Sequence, residues 1–112
     1  MTTPADSTSP HPTNALDDTV HQRHRLGILT ICAEAERVEF TYLRDTLSLT
    51  GGNLSRHLAV LEEAHLIEVT KGHEGRRPRT WIAITAVGRA ALAAELAALE
   101  ALVLRHRRTS DA

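Results

Sequence analysis

The stretch Thr50-Gly51-Gly52-Asn53-Leu54-Ser55-Arg56-His57-Leu58-Ala59-Val60-Leu61-Glu62-Glu63-Ala64 decides how this chain folds. Leu54, Leu58 and Leu61 recur at i, i+4 and i+7 and lie within about 60° of one another on a helical wheel, so that side seeks a core. Thr50 stands where a hydroxyl accepts a bond from an N–H that the first turn leaves unpaired, which starts the helix at about Gly51. It extends to about Ala64. With the leucines inward, Gly52, Arg56 and Ala59 point outward, flanked by Asn53 and Ser55. Glu63 shares that side three turns in.

Working upstream, Ser48-Leu49-Thr50 reads as a turn, and Thr41 to Leu47 as a short helix burying Leu43 and Leu47. Val38 to Phe40 reads as a brief strand. From about His21 to Ala35 the pattern is helical, with Arg23, Gly27, Thr30 and Glu34 on a narrow polar side and Ile28, Leu29, Ile31, Cys32 and Ala35 over the remainder. A helix this broadly apolar is central to its domain. Asn14 and Asp17 suit a short capped turn. Residues 1–13 offer almost nothing to bury and are expected to be a disordered tail.

Downstream, Ile67 to Lys71 and Thr80 to Ile84 are rich in β-branched residues, so they form a hairpin with a long tip over 72–79. Thr85 caps a last helix expected from Ala86 to about Arg107. Its Leu92, Leu96, Leu99 and Val103 are spaced 4, 3, 4, the seam of a short coiled coil, so part of this stripe is expected to meet a second chain. The domain is expected over 14–108, with a disordered end at 109–112.

The order is therefore helix, short helix, tight turn, second helix, basic hairpin, long helix. A helix-turn-helix sends its second helix into the DNA major groove. Arg56 suits guanine O6/N7, worth about 1–3 kcal/mol of discrimination, while Asn53 is suited to adenine. Gly51 and Gly52 allow close approach of backbone to a phosphate or base edge. Lys71, Arg76, Arg77 and Arg79 supply cations for phosphates or a narrow minor groove. His57 lies beside the leucine axis, as a support residue bonding backbone or phosphate. The candidate DNA contacts are thus Thr50, Gly51, Gly52, Asn53, Ser55, Arg56, His57, Lys71, Arg76, Arg77 and Arg79.

The segments His21…Arg25-Leu26-Gly27-Ile28-Leu29, Asn53-Leu54-Ser55-Arg56-His57-Leu58…Leu61-Glu62-Glu63-Ala64 and Gly75-Arg76-Arg77-Pro78-Arg79-Thr80 together resemble the MarR/ArsR-like stand-alone winged helix regulators, over about residues 15–104. The resemblance implies an α+β, mainly helical winged helix-turn-helix with a long C-terminal dimerisation helix. It further implies a homodimer on double-stranded operator DNA, most often a repressor that blocks polymerase from a palindromic site. Recognition helices are then about 34 Å apart, one DNA turn. One departure is visible: Ala64-His65-Leu66 stands where these proteins usually have Ala-Gly-Leu, and histidine tolerates the left-handed C-cap conformation less well than glycine.

Composition narrows the remaining classes. The 112 residues suit one domain, and their 42% apolar content includes one Phe, one Tyr and one Trp, so Leu, Ile, Val and Ala must build the core. Net charge is −1, yet cations cluster at Lys71 to Arg79 and at Arg105, Arg107 and Arg108, and for nucleic acid the distribution outweighs the sum. No apolar run approaches the roughly 18 residues that span a bilayer. The first residues lack an apolar signal core, and the single cysteine suits a reducing cytosol, so the expected setting is cytoplasmic. Cys32 falls mid-arc on its apolar helix and is expected to be buried and structural rather than a redox sensor.

His21 and His24 are i, i+3, but ArsR-like metal sensors usually add a Cys pair or a His/Asp set on the last helix, where this chain has only His106. Neither metal nor cofactor is expected. The chain has no Gly-rich phosphate loop, nucleophile elbow or paired acids with an evident pocket, so no enzymatic activity is expected. A second reading keeps the fold but docks a protein partner, which the near-neutral charge and Glu62-Glu63 leave open. A small-molecule effector has few aromatics to line its pocket and stays unnamed.

Overall fold

The computed structural model describes residues 11–111. Helix α1 (Arg23–Ala33) begins where the Gln22 side chain accepts from the backbone N–H groups of His24 and Arg25 at 3.0 and 2.9 Å. This cap, absent from the sequence reading, starts the helix after His21. Strand β1 (Val38–Glu39) follows, then helix α2 (Phe40–Thr46), helix α3 (Gly51–Glu63), the hairpin strands β2 (Ile67–Glu74) and β3 (Arg77–Ile84), and helix α4 (Ala86–Asp111). The sheet is antiparallel in the order β1-β3-β2. This is a winged helix fold.

One core joins these elements. Ile28 and Leu29 of α1, Leu43 of α2, the three leucines of α3, Ile67 and Ile82 of the sheet, and Leu92 of α4 are all buried together. Each such side chain contributes about 1.5–3 kcal/mol relative to an exposed one. Cys32 is fully buried among them, and burial pushes its thiol up to about 11.

Helices α2 and α3 both stop by the same device, and neither uses glycine. After α2, Ser48 adopts φ 55°, its N–H reaches Asp45 O at 3.3 Å, and Leu49 N–H reaches Arg44 O at 2.9 Å. After α3, His65 adopts φ 63°, donates to Glu62 O at 3.0 Å, and Leu66 N–H reaches Leu61 O at 3.0 Å. Both are Schellman closures, which satisfy the last carbonyls of a helix and need a left-handed residue. His65 thus takes the glycine's conformation. Thr85 completes the corner: its Oγ1 donates to His65 O at 2.7 Å and accepts from Gly88 N–H at 2.9 Å. Gly88 lies so close to the Leu66 carbonyl that a Cβ there would stand 2.1 Å from the oxygen.

The N-terminal segment departs from expectation. Residues 1–10 of the expected tail lie outside the described residues, while Pro12–Ala15 form a 3-10 turn capped by His11. The capping role given to Asn14 and Asp17 is different too: Asp17 Oδ1 accepts from Thr19 N–H and Val20 N–H at 2.8 and 3.3 Å. Val20 is buried, and the segment is tied to α4 by Glu95. This carboxylate is 1% exposed, accepts from Asp17 N–H at 3.2 Å and pairs with His21 Nδ1 at 2.6 Å.

Two expectations for α4 also change. Leu92 is 6% exposed because its own domain covers it, so it is not available to a second chain. The helix runs to Asp111 instead of giving way to a disordered end at 109; Thr109 Oγ1 bonds back to Arg105 O at 3.0 Å, and no Gly or Pro intervenes.

Candidate nucleic-acid interface

The start of α3 is fixed by Thr50, whose Oγ1 accepts from Asn53 N–H at 3.1 Å. Leu54, Leu58 and Leu61 are buried, and Gly52, Asn53, Ser55, Arg56 and Ala59 are exposed. Gly51 is half-buried with open space about it. On the outer surface Arg56 Nη2 donates to Asn53 Oδ1 at 2.8 Å.

His57 points along the helix flank toward α1. Its Nδ1 lies 3.2 Å from Arg25 Nη1, and its ring lies 5.4 Å from that of His24. A guanidinium only donates, so His57 Nδ1 is the acceptor and the ring proton sits on Nε2. Burial first, then Arg25, His24 and Arg56, lower the pKa of His57. Arg25 is itself held by Thr19 O at 2.6 Å and Asp18 O at 3.4 Å. The sequence had not marked Arg25 as structural; a cation on a helix start gives no sign of which carbonyls it will meet.

The hairpin differs from the long-tipped form expected. The strands pair without interruption to Glu74↔Arg77, leaving Gly75-Arg76 as the turn. Gly75 has φ 64°, the left-handed conformation that a two-residue type II′ hairpin turn asks of its first residue. The polar tip had concealed the pairing, since Lys, His, Glu and Arg carry no strand pattern. Lys71, Arg76 and Arg77 are all exposed on this ribbon.

Arg79 is not part of that free set. Its Nη1 meets Glu39 Oε2 at 2.9 Å, its Nη2 lies 3.4 Å from Glu74 Oε1, and its side chain is only 19% exposed. The reason is register: Glu39 stands opposite Trp81, so it shares a sheet face with Arg79 two residues away. Thr41 Oγ1 also donates to Glu39. Nearby, the Arg37 guanidinium sits 4.0 Å from the Trp81 ring centroid. These contacts tie the hairpin to β1 and the residues flanking it, and they follow only from the placement of β1 beside β3.

Helix α3 and the hairpin stand side by side across an open groove of about 340 Å³, with Ser55, Ala59 and Glu62 on one wall and Val69, Lys71 and Thr80 on the other. One surface therefore carries an exposed helix and a cationic two-stranded finger.

That pairing of elements is the class definition of a winged helix, and the family relationship agrees: the chain belongs to the winged helix DNA-binding domain family, which matches residues 24–103. It is similar to an uncharacterized protein of Methanocaldococcus jannaschii, at 43% identity over 67 residues, covering 60% of this chain and 73% of that protein. Among solved structures it resembles a transcriptional regulator homologue of Pyrococcus horikoshii OT3, with 32% identity and a TM-score of 0.71, covering 76% of this chain and 84% of that one. A MarR-family transcriptional regulator of Rhodococcus sp. RHA1 shares the fold, at 24% identity and a TM-score of 0.66, covering 86% of this chain and 67% of that one. Among the described residues no helix is long and apolar enough to cross a membrane.

Proposed function

We propose that this chain is a homodimeric transcriptional regulator that represses by occupying a palindromic operator. Helix α3 enters the major groove, with Arg56 and Asn53 against base edges and Thr50, Gly51, Gly52 and Ser55 near the backbone at its N-terminal end. The wing cations Lys71, Arg76 and Arg77 neutralise phosphates or enter the neighbouring minor groove. His57 supports α3 from the flank, and Arg79 braces the wing without touching DNA.

The single observation that carries this reading is that α3 and the hairpin flank one open groove, with Arg56 exposed on the helix and Lys71, Arg76 and Arg77 exposed on the hairpin. The dimer is supported by α4, where Leu96, Val103 and Leu104 are 46%, 47% and 47% exposed and Leu99 is half-buried. Apolar side chains left open together along the outer half of one helix suit a partner surface.

Selection of bound duplexes from a random pool, with sedimentation of the free protein, tests the proposal. Enrichment of an inverted repeat with half-sites about one helical turn apart, from a dimer, is expected. A monomer at micromolar concentration, or a pool that stays random, overturns it.

A further inference from the structure

We infer that residues 11–22 are a strap that sets the angle between α4 and α3, and that Glu95 is the positioning residue holding it. This rests on the reading of the chain as a DNA-binding dimer. There α4 carries the partner surface and α3 the DNA contacts, so the angle between them fixes how far apart the two recognition helices stand.

Beyond Leu92, α4 leaves the core of the domain. Glu95 and Ala98 are its buried residues there, and the elements that pack most against the helix are α1 and the 3-10 turn Pro12–Ala15. The chain thus lays its strap along α4 where the core gives out. Glu95 supplies the polar part of the hold. Its Oε1 accepts from Asp17 N–H at 3.2 Å and its Oε2 meets His21 Nδ1 at 2.6 Å, so both carboxylate oxygens are spent on the strap. A carboxylate this deeply buried is costly to leave unpaired, which makes the two contacts hard to give up.

The strap passes the hold onward. Between the two residues that Glu95 grips, Val20 is fully buried and the carbonyls of Asp18 and Thr19 meet Arg25 of α1. Arg25 Nε donates to Thr19 O at 2.6 Å, its Nη2 lies 3.4 Å from Asp18 O, and its Nη1 donates to His57 Nδ1 of α3 at 3.2 Å. A polar line therefore runs from Glu95 through the strap and Arg25 to His57. Each end is one residue from an exposed side chain that the proposed function uses, Leu96 on α4 and Arg56 on α3. Hydrogen-bonded lines of this kind carry coupling between separate elements.

Half-site spacing reads that angle. Wild type is used to select an inverted repeat from random duplexes, and fluorescence anisotropy then compares that duplex with one whose spacer is longer by about two base pairs. The insertion moves one half-site about 7 Å along the duplex and about 70° around it. Wild type is expected to prefer its own spacing by about 5-fold or more. Glu95→Ala and Arg25→Met are each expected to lose that preference while sedimenting as dimers. The double variant is expected to lose no more than either, since the contacts lie in series. Arg25→Met leaves the buried carboxylate paired, so it carries the test where Glu95→Ala does not fold. Glu95→Gln is expected to keep the preference, because its carbonyl accepts from Asp17 N–H and its NH₂ donates to the other tautomer of His21. Ile28→Val loosens the core away from the line, and is expected to lower the melting temperature with the preference intact. A preference retained by Arg25→Met or by folded Glu95→Ala, lost in Ile28→Val or Glu95→Gln, or lost only through dissociation to monomer overturns the inference and leaves DNA binding standing. A wild type that selects no inverted repeat, or that sediments as a monomer, removes the dimer reading and the inference with it.

Discussion

Removing the two cations at the wing tip should change how strongly salt controls DNA binding, and by an amount set by which charges are free. Arg76 and Arg77 are exposed and lie in no ion pair of the described residues, whereas Arg79 is paired with Glu39 and Glu74. Each phosphate neutralised adds about 0.9 to the slope of log K against log salt. Arg76→Ala with Arg77→Ala should therefore lower the slope by about 1.8 for one wing and about 3.6 for a dimer using both. Raising salt from about 50 to about 200 mM then costs the double variant about two decades less affinity than it costs wild type. The assay is fluorescence anisotropy on one operator duplex over a salt series. Arg79→Ala is the control: its slope should stay at the wild-type value. It should instead lower stability by roughly 1–2 kcal/mol, less than the 3–5 of a fully buried pair because both partners retain some solvent. An unchanged slope in the double variant, or a slope reduced by Arg79→Ala, refutes this division of roles.

Other substitutions test the supporting structure. His65→Gly should raise stability by about 0.5–1 kcal/mol, since an L side chain at φ 63° carries a left-handed strain that glycine lacks, partly offset by glycine's unfolded entropy. A urea midpoint that falls instead would show that the histidine side chain holds the corner. Gly88→Ala should cost about 1–3 kcal/mol or more, because its Cβ would lie 2.1 Å from the Leu66 carbonyl oxygen, and backbone must move. A neutral result in thermal melting contradicts that packing. The lowered pKa of His57 predicts acid sensitivity. The unfolded chain takes up this proton near 6.5 and the folded chain only at lower pH, so the contribution is complete above 6.5 and declines as pH falls below it. Urea midpoints at pH 8 and 5.5 should fall further apart in wild type than in His57→Gln; equal shifts would refute it.

The helices were legible because their leucine periodicity survives any packing arrangement. Leu54, Leu58 and Leu61 define α3 from sequence, and burial of the same three residues fixes its outer face. The wing was legible in its flanks but not its tip, since alternation is lost where both faces of a ribbon are in water. Residues 72–74 and 77–79 pair by backbone bonds that no side-chain pattern records. Arg79 looked like its neighbours Arg76 and Arg77 for a related reason. Charge type is local, whereas the partner that neutralises Arg79 comes from Glu39, forty residues earlier and visible only through strand register. His57 was correctly placed off the leucine axis, but the tautomer it adopts depends on Arg25, which α1 brings to it.

The long helix shows why a single leucine stripe resists assignment to one purpose. Leu92 closes the domain's own core, Leu99 is half-covered, and Leu96 and Val103 are open. The 4, 3, 4 repeat is continuous in sequence, yet the body it could cover ends partway along the 26-residue helix. Glu95 adds a second division on the same helix. A carboxylate that is 1% exposed is costly unless paired, and its partners Asp17 and His21 come from the segment laid across α4. The leucine-to-glutamate interleaving therefore sorts the helix by occupant: a core contact at Leu92, the chain's own N-terminal segment at Glu95, and open apolar side chains at Leu96, Val103 and Leu104, where the proposed second copy would pack.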